Sequence, residues 1–303
     1  YHLSPITYQL SNVIILTNMK LSVLMPVYNE RRTLREIIQR VLAQNIPGID
    51  QLELVIVDDG STDGSGEIIH QLGQEHPKTI HPILLKQNQG KGNAIRTAIQ
   101  SASGDIAIIQ DADLEYDPSD YNIVLQPIID GEADVVYGSR FAEREQRRVL
   151  YFRHTLANRF LTFVSNWFTD LNLTDMETCY KAFRLGVAKT IPIRSDDFGI
   201  EPELTAKFAK RKLRIFEVPI SYHGRTYAEG KKITWSDGMK SLWTIFKYWV
   251  IDDMFQGDYA QKDLIDMEAA PKYTEWTLER TRPYAGDLLL EVGSGIGNNV
   301  RIL

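Results

Sequence analysis

This chain is poor in cysteine, in long apolar runs and in excess positive charge. Cys179 is the only cysteine among 303 residues, so no disulfide can form within the chain and a reducing compartment fits best. No stretch approaches the roughly 18 apolar residues of a membrane-spanning helix, and the nearest candidate, residues 241–251, is interrupted by Lys247. The net charge of −6 argues against general binding to nucleic acid.

The first 18 residues also lack the features of a signal peptide. They contain a short apolar patch at residues 13–16, but neither a cationic segment nor a small-residue cleavage site. Because Met19 stands directly before a predicted strand, we expect the natural start there. Residues 1–18 are therefore interpreted as a leader or a non-native extension.

Apolar runs alternate with helical patterns from residue 21 onwards. The predicted strands are residues 21–27, 52–57, 83–85, 106–109, 134–137 and 213–218. Asn29 is predicted to cap the first helix, and a strongly basic helix is predicted over residues 142–160. The alternation predicts an α/β fold with a mostly parallel sheet flanked by helices. In such sheets ligands collect at the carboxyl ends of the strands.

Two aspartates separated by one small residue, Asp111 and Asp113, directly follow the strand at residues 106–109. Two anions so close together are costly unless a cation shares them, and carboxylates are the ligands that Mg²⁺ prefers. Glu115 follows at a spacing that adds a third oxygen. One hypothesis is a divalent-metal site. The other is an ordinary acidic turn, since Asp117 and a proline come next.

Two further segments suit a nucleotide. Residues 58–64, Asp-Asp-Gly-Ser-Thr-Asp-Gly, end the second strand and offer acceptors for a base or a sugar, although a capped turn uses the same residue types. Lys91 stands between Gly90 and Gly92 at the start of a helix, which suits a diphosphate. The spacing is not that of an ATP-binding phosphate loop.

In this order the segments resemble the family 2 glycosyltransferases. The matching segments are residues 26–30 (Pro-Val-Tyr-Asn-Glu), residues 58–64, residues 90–92 and residues 111–113. The resemblance covers about residues 20–235. The chain is most similar to the branch of polyprenyl-phosphate sugar transferases, such as dolichyl-phosphate mannosyltransferase, which shares Gly138-Ser139-Arg140 and a late basic segment.

The resemblance implies a GT-A nucleotide-binding domain over residues 19–230. The residues that would line the base and ribose are Pro26, Tyr28, Glu30 and Asp59, with Asp58 supporting the turn. Lys91 would lie near the diphosphate, and Asp111 near the bond between sugar and diphosphate. Asp111, Asp113 and Glu115 would hold Mg²⁺ or Mn²⁺, although family members often have Gln at the last position.

Phosphate groups of the donor or the acceptor would face three cations, namely Arg140, Arg225 and Lys232. The family often has Ser at position 231, so the extra charge of Lys231 would either strengthen anion binding or be solvated. The implied donor is a nucleotide sugar of the GDP-mannose or UDP-glucose type. The implied acceptor is a polyprenyl or dolichyl phosphate, and transfer would proceed with inversion.

Other functions remain open at this point. A family 2 transferase acting on a glycan or another hydroxyl would need a carboxylate base, and Asp175 or Glu177 is a candidate. Hydrogen bonding that orders the loop is the equal alternative for both. A non-catalytic nucleotide-sugar-binding or membrane-scaffolding module is a third hypothesis. Glu201 and Glu203 are also candidates, but a solvated helix face is the favoured interpretation.

Residues 231–255 are predicted to form an amphipathic helix. Its apolar face comprises Trp235, Met239, Leu242, Trp243, Phe246, Trp249 and Val250. With flanking lysines, this pattern suits a helix lying in a bilayer interface, and packing on the domain or on a partner is the alternative. The expected location is cytoplasmic, peripheral at the cytoplasmic face of a membrane.

The last part of the chain has a different composition. Residues 256–271 are a polar, acidic linker. In residues 272–303 a predicted strand ends in Glu291 and is followed by Gly-x-Gly-x-Gly at residues 293–297. This resembles the first motif of class I S-adenosylmethionine methyltransferases. We expect the truncated start of a fused second domain, with S-adenosylmethionine bound only in a longer parent chain.

Overall fold

The computed structural model describes residues 19–143, 148–224 and 235–253, without side-chain detail at residues 235–237. Two compact units divide the chain, Tyr1–Val250 and Ile251–Leu303. The described strands, all in the first unit, are β1 (Met19–Val27), β2 (Ile49–Asp58), β3 (Ile80–Leu84), β4 (Ile106–Ile109), β5 (Val135–Ser139), β6 (Lys181–Arg184) and β7 (Ile215–Pro219).

The described helices also lie in the first unit. They are α1 (Leu34–Leu42), α2 (Ser65–Glu75), α3 (Lys91–Ser101), α4 (Tyr121–Ile129), α5 (Phe152–Thr169), α6 (Leu185–Lys189), α7 (Ile200–Lys210) and α8 (Trp235–Val250). None of them combines the length and apolar character that crossing a bilayer requires.

The seven described strands form one sheet in the order β3-β2-β1-β4-β6-β5-β7. All neighbouring pairs are parallel except those of β6, which runs antiparallel to both β4 and β5. The carboxyl ends of the other strands therefore share one edge with the start of β6. That edge collects the loops that carry the predicted site.

The central strands are continuous apolar runs, as expected where helices cover both faces of a sheet. All four residues of β4 are fully buried, and Val23 and Leu24 of β1 are equally buried. The prediction of a mostly parallel α/β sheet flanked by helices is confirmed.

One strand is missed and the bounds expected for one helix are wrong. The sequence patterns do not predict β6, which is only four residues long and follows directly on a loop. The helix expected over residues 142–160 begins only at Phe152 and continues to Thr169. The hydroxyl of Ser139 accepts the N–H groups of Phe141 and Ala142, and this holds residues 139–142 in a turn.

Glu53, in β2, is a buried carboxylate with a complete set of donors. Its oxygens pair with Lys20 and accept hydrogen bonds from the Ser22 hydroxyl and from both the backbone and the hydroxyl of Ser103. Burial alone would raise the pKa of Glu53, but these partners outweigh it and lower the pKa to about 2. The ionised form is therefore the one that stabilises the fold.

We expect Glu53→Gln to lower the free energy of unfolding at pH 7 by roughly 3 kcal/mol. Because the folded-state pKa lies below the ordinary value of 4.5, the loss should shrink as the pH falls from about 4.5 toward about 2. Urea unfolding at a series of pH values measures it. Glu36→Gln, at an exposed pair with Arg40, is the control and should change little. A loss of unfolding free energy in Glu53→Gln that stays the same at every pH would contradict this account.

Candidate functional site

The loops after β1 and β2 are joined by hydrogen bonds. Asn29 does not cap α1 as expected, since the residue before that helix is Thr33. Instead Asn29 has a left-handed backbone, and its side-chain oxygen accepts the N–H of Thr62 at 2.8 Å while its own N–H donates to Ser61. The predicted nucleotide loop at residues 58–64 is thereby fixed to the loop that contains Tyr28 and Glu30.

Asp59 organises the turn that carries Lys91. Its two carboxylate oxygens accept the backbone N–H groups of Gln89 and Gly90, each at 2.8 Å, and Asp59 itself is only 3% exposed. The neighbouring Asp58 accepts the N–H of Ser61. Both aspartates therefore hold loops in place, and the contacts of Asp59 with a base or ribose stay a prediction.

The glycines around Lys91 are required by a close approach of backbone. A Cβ atom on Gly90 would lie 2.2 Å from the carbonyl oxygen of Asp196, and one on Gly92 would lie 2.2 Å from that of Ser195. Gly90 also has a φ of +99°, which disfavours other residues. The prediction that a diphosphate requires these glycines is not needed to explain them, because the backbone of residues 195–196 already occupies the space beside them.

Lys91 connects this turn to the paired aspartates. Its ammonium lies 2.9 Å from Asp111 Oδ1 and 3.4 Å from Glu201 Oε1, and its side chain is 16% exposed. Burial alone would lower the pKa of Lys91, but Asp111 and other nearby groups, Glu201 among them, raise it well above its ordinary value. Lys91 is therefore a fixed positive charge at the sheet edge.

The interpretation of Glu201 and Glu203 as a solvated helix face is wrong. Both are buried, at 3% and 0% exposure, because each has a buried ammonium as partner. Glu201 pairs with Lys181 at the start of β6. Glu203 pairs with Lys207 at 2.7 Å and also accepts the backbone N–H groups of residues 194 and 195, which precede the close approach to Gly90.

Glu177 has a different environment from the other acids of the site. Its Oε1 is buried and has no hydrogen-bond partner among the described residues. Burial and the charge of Glu201 raise the pKa of Glu177 to about 7, against the opposing effects of Lys181 and a hydrogen bond with Ser241. Glu177 is therefore a carboxyl that changes protonation near neutral pH.

Asp111, Asp113 and Glu115 do not form a preformed metal cage. Among the described residues no group of three or more acidic, histidine or cysteine side chains could hold a metal. Asp111 faces Lys91, and Glu115 accepts the hydroxyl of Tyr222 at 2.7 Å. Asp113 accepts the N–H of Glu115 across Leu114, whose φ of +61° is left-handed.

Carboxylate oxygens at Asp111 and Asp113 nevertheless fit a divalent cation that takes its other ligands from a substrate. Mg²⁺ is commonly held by one or two carboxylates together with phosphate oxygens. The role of Glu115 as a third ligand would require it to leave Tyr222. The metal site as a whole stays a prediction.

Arg140 and Asp175 form a tightly held ion pair. The guanidinium donates to both oxygens of Asp175 at 2.6 and 2.7 Å, and the Arg140 N–H adds a third bond at 3.0 Å. Asp175 is fully buried, and Arg140 also lies over the ring of Tyr222. Of the two alternatives for Asp175, this geometry favours a role in ordering the loop, since both carboxylate oxygens are engaged by Arg140.

Beside Arg140 is a cavity of about 320 Å³. Its lining includes Arg148, Ser221, Tyr222 and His223. The cavity thus presents two guanidinium groups and an imidazole, which suit an anion, while the hydroxyls of Ser221 and Tyr222 donate to Asp120 and Glu115. The predicted phosphate-binding residues Arg225, Lys231 and Lys232 lie outside the described residues, as do residues 1–18, the linker at residues 256–271 and the predicted methyltransferase start at residues 272–303.

The structure thus brings Asp59, Lys91 and Asp111 into one connected group and joins Glu115 to Arg140 through Tyr222. Tyr222 and Lys181 are site residues that the sequence alone does not predict. No local pattern marks them, because β6 and the segment after β7 reach the edge only through the sheet order.

The chain has clear relatives. The model of the family described as "Glycosyl transferase family 2" matches residues 22–191. The undecaprenyl-phosphate 4-deoxy-4-formamido-L-arabinose transferase of Edwardsiella ictaluri is 30% identical over 210 residues, which are 69% of this chain and 62% of that protein. The enzyme of the same name from Photorhabdus laumondii is 29% identical over 212 residues, covering 70% and 62%. The match therefore spans less than two thirds of either relative.

Solved structures share the fold. Glucosyl-3-phosphoglycerate synthase from Mycobacterium tuberculosis, in complex with Mn²⁺, UDP and phosphoglyceric acid, superposes with a TM-score of 0.59 at 19% identity, covering 78% of this chain and 80% of that one. The same synthase with Mg²⁺ and UDP gives a TM-score of 0.57 at 20% identity, covering 78% and 81%. The sheet and its helices are those of a GT-A domain.

The close packing of Ser195 on Gly92 can be tested by adding a Cβ atom at position 92. In an ordinary helix, Gly→Ala stabilises by about 0.5–1 kcal/mol, and Gly186→Ala in α6 should do so because nothing lies within 4 Å of its added Cβ. Gly92→Ala in α3 should instead destabilise by roughly 2 kcal/mol or more, because the carbonyl of Ser195 must move. Thermal unfolding of both variants measures this, and equal shifts of one sign would contradict the packing described.

Proposed function

Since the chain belongs to glycosyl transferase family 2, we propose that it transfers a sugar from a nucleotide sugar of the GDP-mannose or UDP-glucose type to a polyprenyl or dolichyl phosphate. The reaction is a displacement at the anomeric carbon with inversion. The observation that carries the proposal is the Lys91–Asp111 pair at the sheet edge, beside loops suited to a nucleotide. The relatives that are undecaprenyl-phosphate sugar transferases support a lipid phosphate as acceptor.

The chain's own residues bind and orient the donor. Tyr28, 39% exposed at the end of β1, offers a surface for the base beside Pro26 and Glu30. Asp59 keeps the turn of residues 89–90 in place. Lys91 then presents a fixed ammonium to the diphosphate, and a positive charge that needs no reorganisation favours the departure of that anion.

Asp111 and Asp113 would hold Mg²⁺ or Mn²⁺ together with the donor's phosphates. The bound cation supplies charge neutralisation of the leaving diphosphate. The two carboxylates fit this role because hard cations prefer oxygen ligands. The solved synthase complexes with Mn²⁺ or Mg²⁺ and UDP support the use of such a cation by this fold.

The cavity beside Arg140 suits an anionic acceptor. A hydroxyl needs a base, whereas a lipid phosphate is already anionic near neutral pH. Both oxygens of the buried Asp175 are engaged by Arg140, so Glu177, whose pKa is raised to about 7, is the candidate base for a hydroxyl acceptor. The guanidinium groups of Arg140 and Arg148 line the cavity and suit a phosphate.

Transfer of radiolabel from a panel of GDP- and UDP-sugars to polyprenyl phosphate, with Mn²⁺ or Mg²⁺, tests the function. We expect label that extracts into organic solvent, and Asp113→Asn should reduce the rate by about a hundredfold or more, as loss of one electrostatic contact commonly does. Asp130→Asn, at an exposed residue after α4, is the matched control and should leave the rate unchanged.

Other outcomes point to the competing functions. Label confined to a water-soluble glycan would favour a hydroxyl acceptor. Binding of a nucleotide sugar without any transfer would favour the non-catalytic module. Retained metal-dependent turnover in Asp113→Asn would contradict the assigned site.

We further propose that α5 and α8 place the protein at a membrane surface. Both helices expose large apolar residues, and both bury small polar ones, although α8 also buries Ile245 and Tyr248. In α5 the buried residues are Thr162 and Ser165, and the exposed ones are Phe152, Leu156, Phe160, Phe163 and Trp167. In α8 Ser241 and Thr244 are buried, and Met239, Trp243, Phe246, Trp249 and Val250 are exposed.

The two apolar faces are neighbours, because the ring of Phe168 in α5 packs on that of Trp249 in α8 at a centroid distance of 4.8 Å. Exposed apolar surface on this scale marks a contact with a membrane or a partner. Aromatic side chains with nearby cations suit the bilayer interface, and Arg153, Arg159 and Lys240 supply cations on the same helices.

Co-sedimentation with vesicles of anionic phospholipid measures this contact. The double variant Trp167→Ser/Trp243→Ser should weaken binding by about tenfold or more, since each buried indole contributes a few kcal/mol. Phe216→Ser, at an exposed aromatic residue of β7, is the matched control and should bind as the unmodified protein does. Equal binding by all three proteins would count against a membrane-facing role for these helices.

A further inference from the structure

The ammonium of Lys91 lies between two carboxylates rather than one. Asp111 Oδ1 is 2.9 Å from Nζ and Glu201 Oε1 is 3.4 Å from it, and all three side chains are largely buried. One buried ammonium needs one anion for charge balance, because unpaired buried charges are costly. Glu201 already balances the charge of Lys181 through its other oxygen, so it is the approach of Oε1 to Lys91 that charge balance alone does not explain.

Glu201 is held in place by its other oxygen. Oε2 pairs with Lys181, which is fully buried and also donates to the carbonyl of Thr178. The residue stands in the first turn of α7, where the helix dipole favours a negative charge. Its Oε1 faces Lys91 and accepts no hydrogen bond from any described residue. A buried acceptor without a donor costs free energy.

Asp111, by contrast, has two positively charged partners to serve, Lys91 and the proposed cation. In the structure it pairs with Lys91, and under the proposed function it holds a divalent cation. A cation on Asp111 would repel the ammonium beside it and withdraw the ammonium's main partner. If no other anion were nearby, the ammonium of Lys91 would move away from the turn of residues 90–92, where under the proposed function it binds the diphosphate.

We infer that Glu201 is a second anchor for Lys91, which keeps the ammonium in the turn of residues 90–92 when Asp111 engages a cation. When the distance from Lys91 Nζ to Glu201 Oε1 shortens from 3.4 Å, Lys91 gains a hydrogen-bond acceptor and Oε1 gains a donor. Asp111, Lys91, Glu201 and Lys181 carry two negative and two positive charges in alternation, and when Asp111 engages a cation, Glu201 still faces both ammonium groups, one through each oxygen. Glu201 is thus a positioning residue, and only its link to the cation rests on the proposed function.

Labelling of Lys91 by an amine-acylating reagent, read by peptide mass spectrometry on the full chain, tests the anchor. Without metal, Asp111→Asn and Glu201→Gln should each leave Lys91 protected, because one carboxylate remains. The double variant Asp111→Asn/Glu201→Gln should be labelled faster by about tenfold or more, the loss expected for a charged hydrogen bond. Rapid labelling in Asp111→Asn alone would overturn the inference.

Addition of Mn²⁺ tests whether Glu201 replaces Asp111 as the partner of Lys91. Lys91 of the unmodified chain should stay protected at saturating Mn²⁺, whereas in Glu201→Gln it should become labelled only when Mn²⁺ is present. If the metal-free double variant is labelled but Mn²⁺ changes nothing in Glu201→Gln, the anchor stands and the metal site of the proposed function fails. If Mn²⁺ exposes Lys91 in the unmodified chain, the anchor fails while the metal site stands.

Glu53→Gln is the matched control, because it also removes a buried, paired carboxylate but one whose partner is Lys20. It should leave Lys91 protected with and without Mn²⁺. Labelling of the buried Lys207 in the same digests reports the integrity of the fold, since that ammonium is held by Glu203. Labelling of Lys91 in Glu53→Gln would show that general loosening accounts for the effect and would overturn the inference.

Discussion

The pairing of buried charges at the carboxyl edge of the sheet is the constraint on which the rest of this structure depends. Asp111, Lys91, Glu201 and Lys181 form a continuous series of alternating charges, each from a different segment of the chain. Removing either inner member, Lys91 or Glu201, leaves a neighbour buried without its counter-charge, which is far more costly than the series itself. The series therefore requires β4, α3, α7 and β6 to keep their relative positions.

Close backbone packing fixes the position of the turn that carries Lys91. Residues 195–196 approach the turn of Lys91 so closely that no side-chain atom fits between them at Gly90 or Gly92. Glu203 fixes the preceding N–H groups, and Asp59 fixes the turn from the other side. An ammonium on a flexible four-carbon chain is thereby limited to a small region, which reduces the cost of positioning it.

The sequence predicts those parts of the site that local patterns encode. Apolar runs followed by Asp58 or Asp111 identify strand ends, and a parallel sheet brings such ends together. The partners of these residues are less predictable, because Glu201 and Lys181 look like exposed helix or loop charges until the sheet order places them beside Lys91. Helix α5 shows the same limit, since its exposed apolar stripe can be distinguished from a core-facing stripe only when its packing side is known.

The inner face of α8 is mixed in polarity. Ser241 and Thr244 are buried there beside Ile245 and Tyr248, and a hydrogen bond from Ser241 opposes the raised pKa of Glu177. Lys240, which is 57% exposed, pairs with Asp197 at 3.2 Å at the rim of the helix. Asp197 directly follows residues 195–196, which abut Gly90 and Gly92. Helix α8, which carries exposed aromatic residues, is therefore tied by this ion pair to the segment that packs on the turn of Lys91.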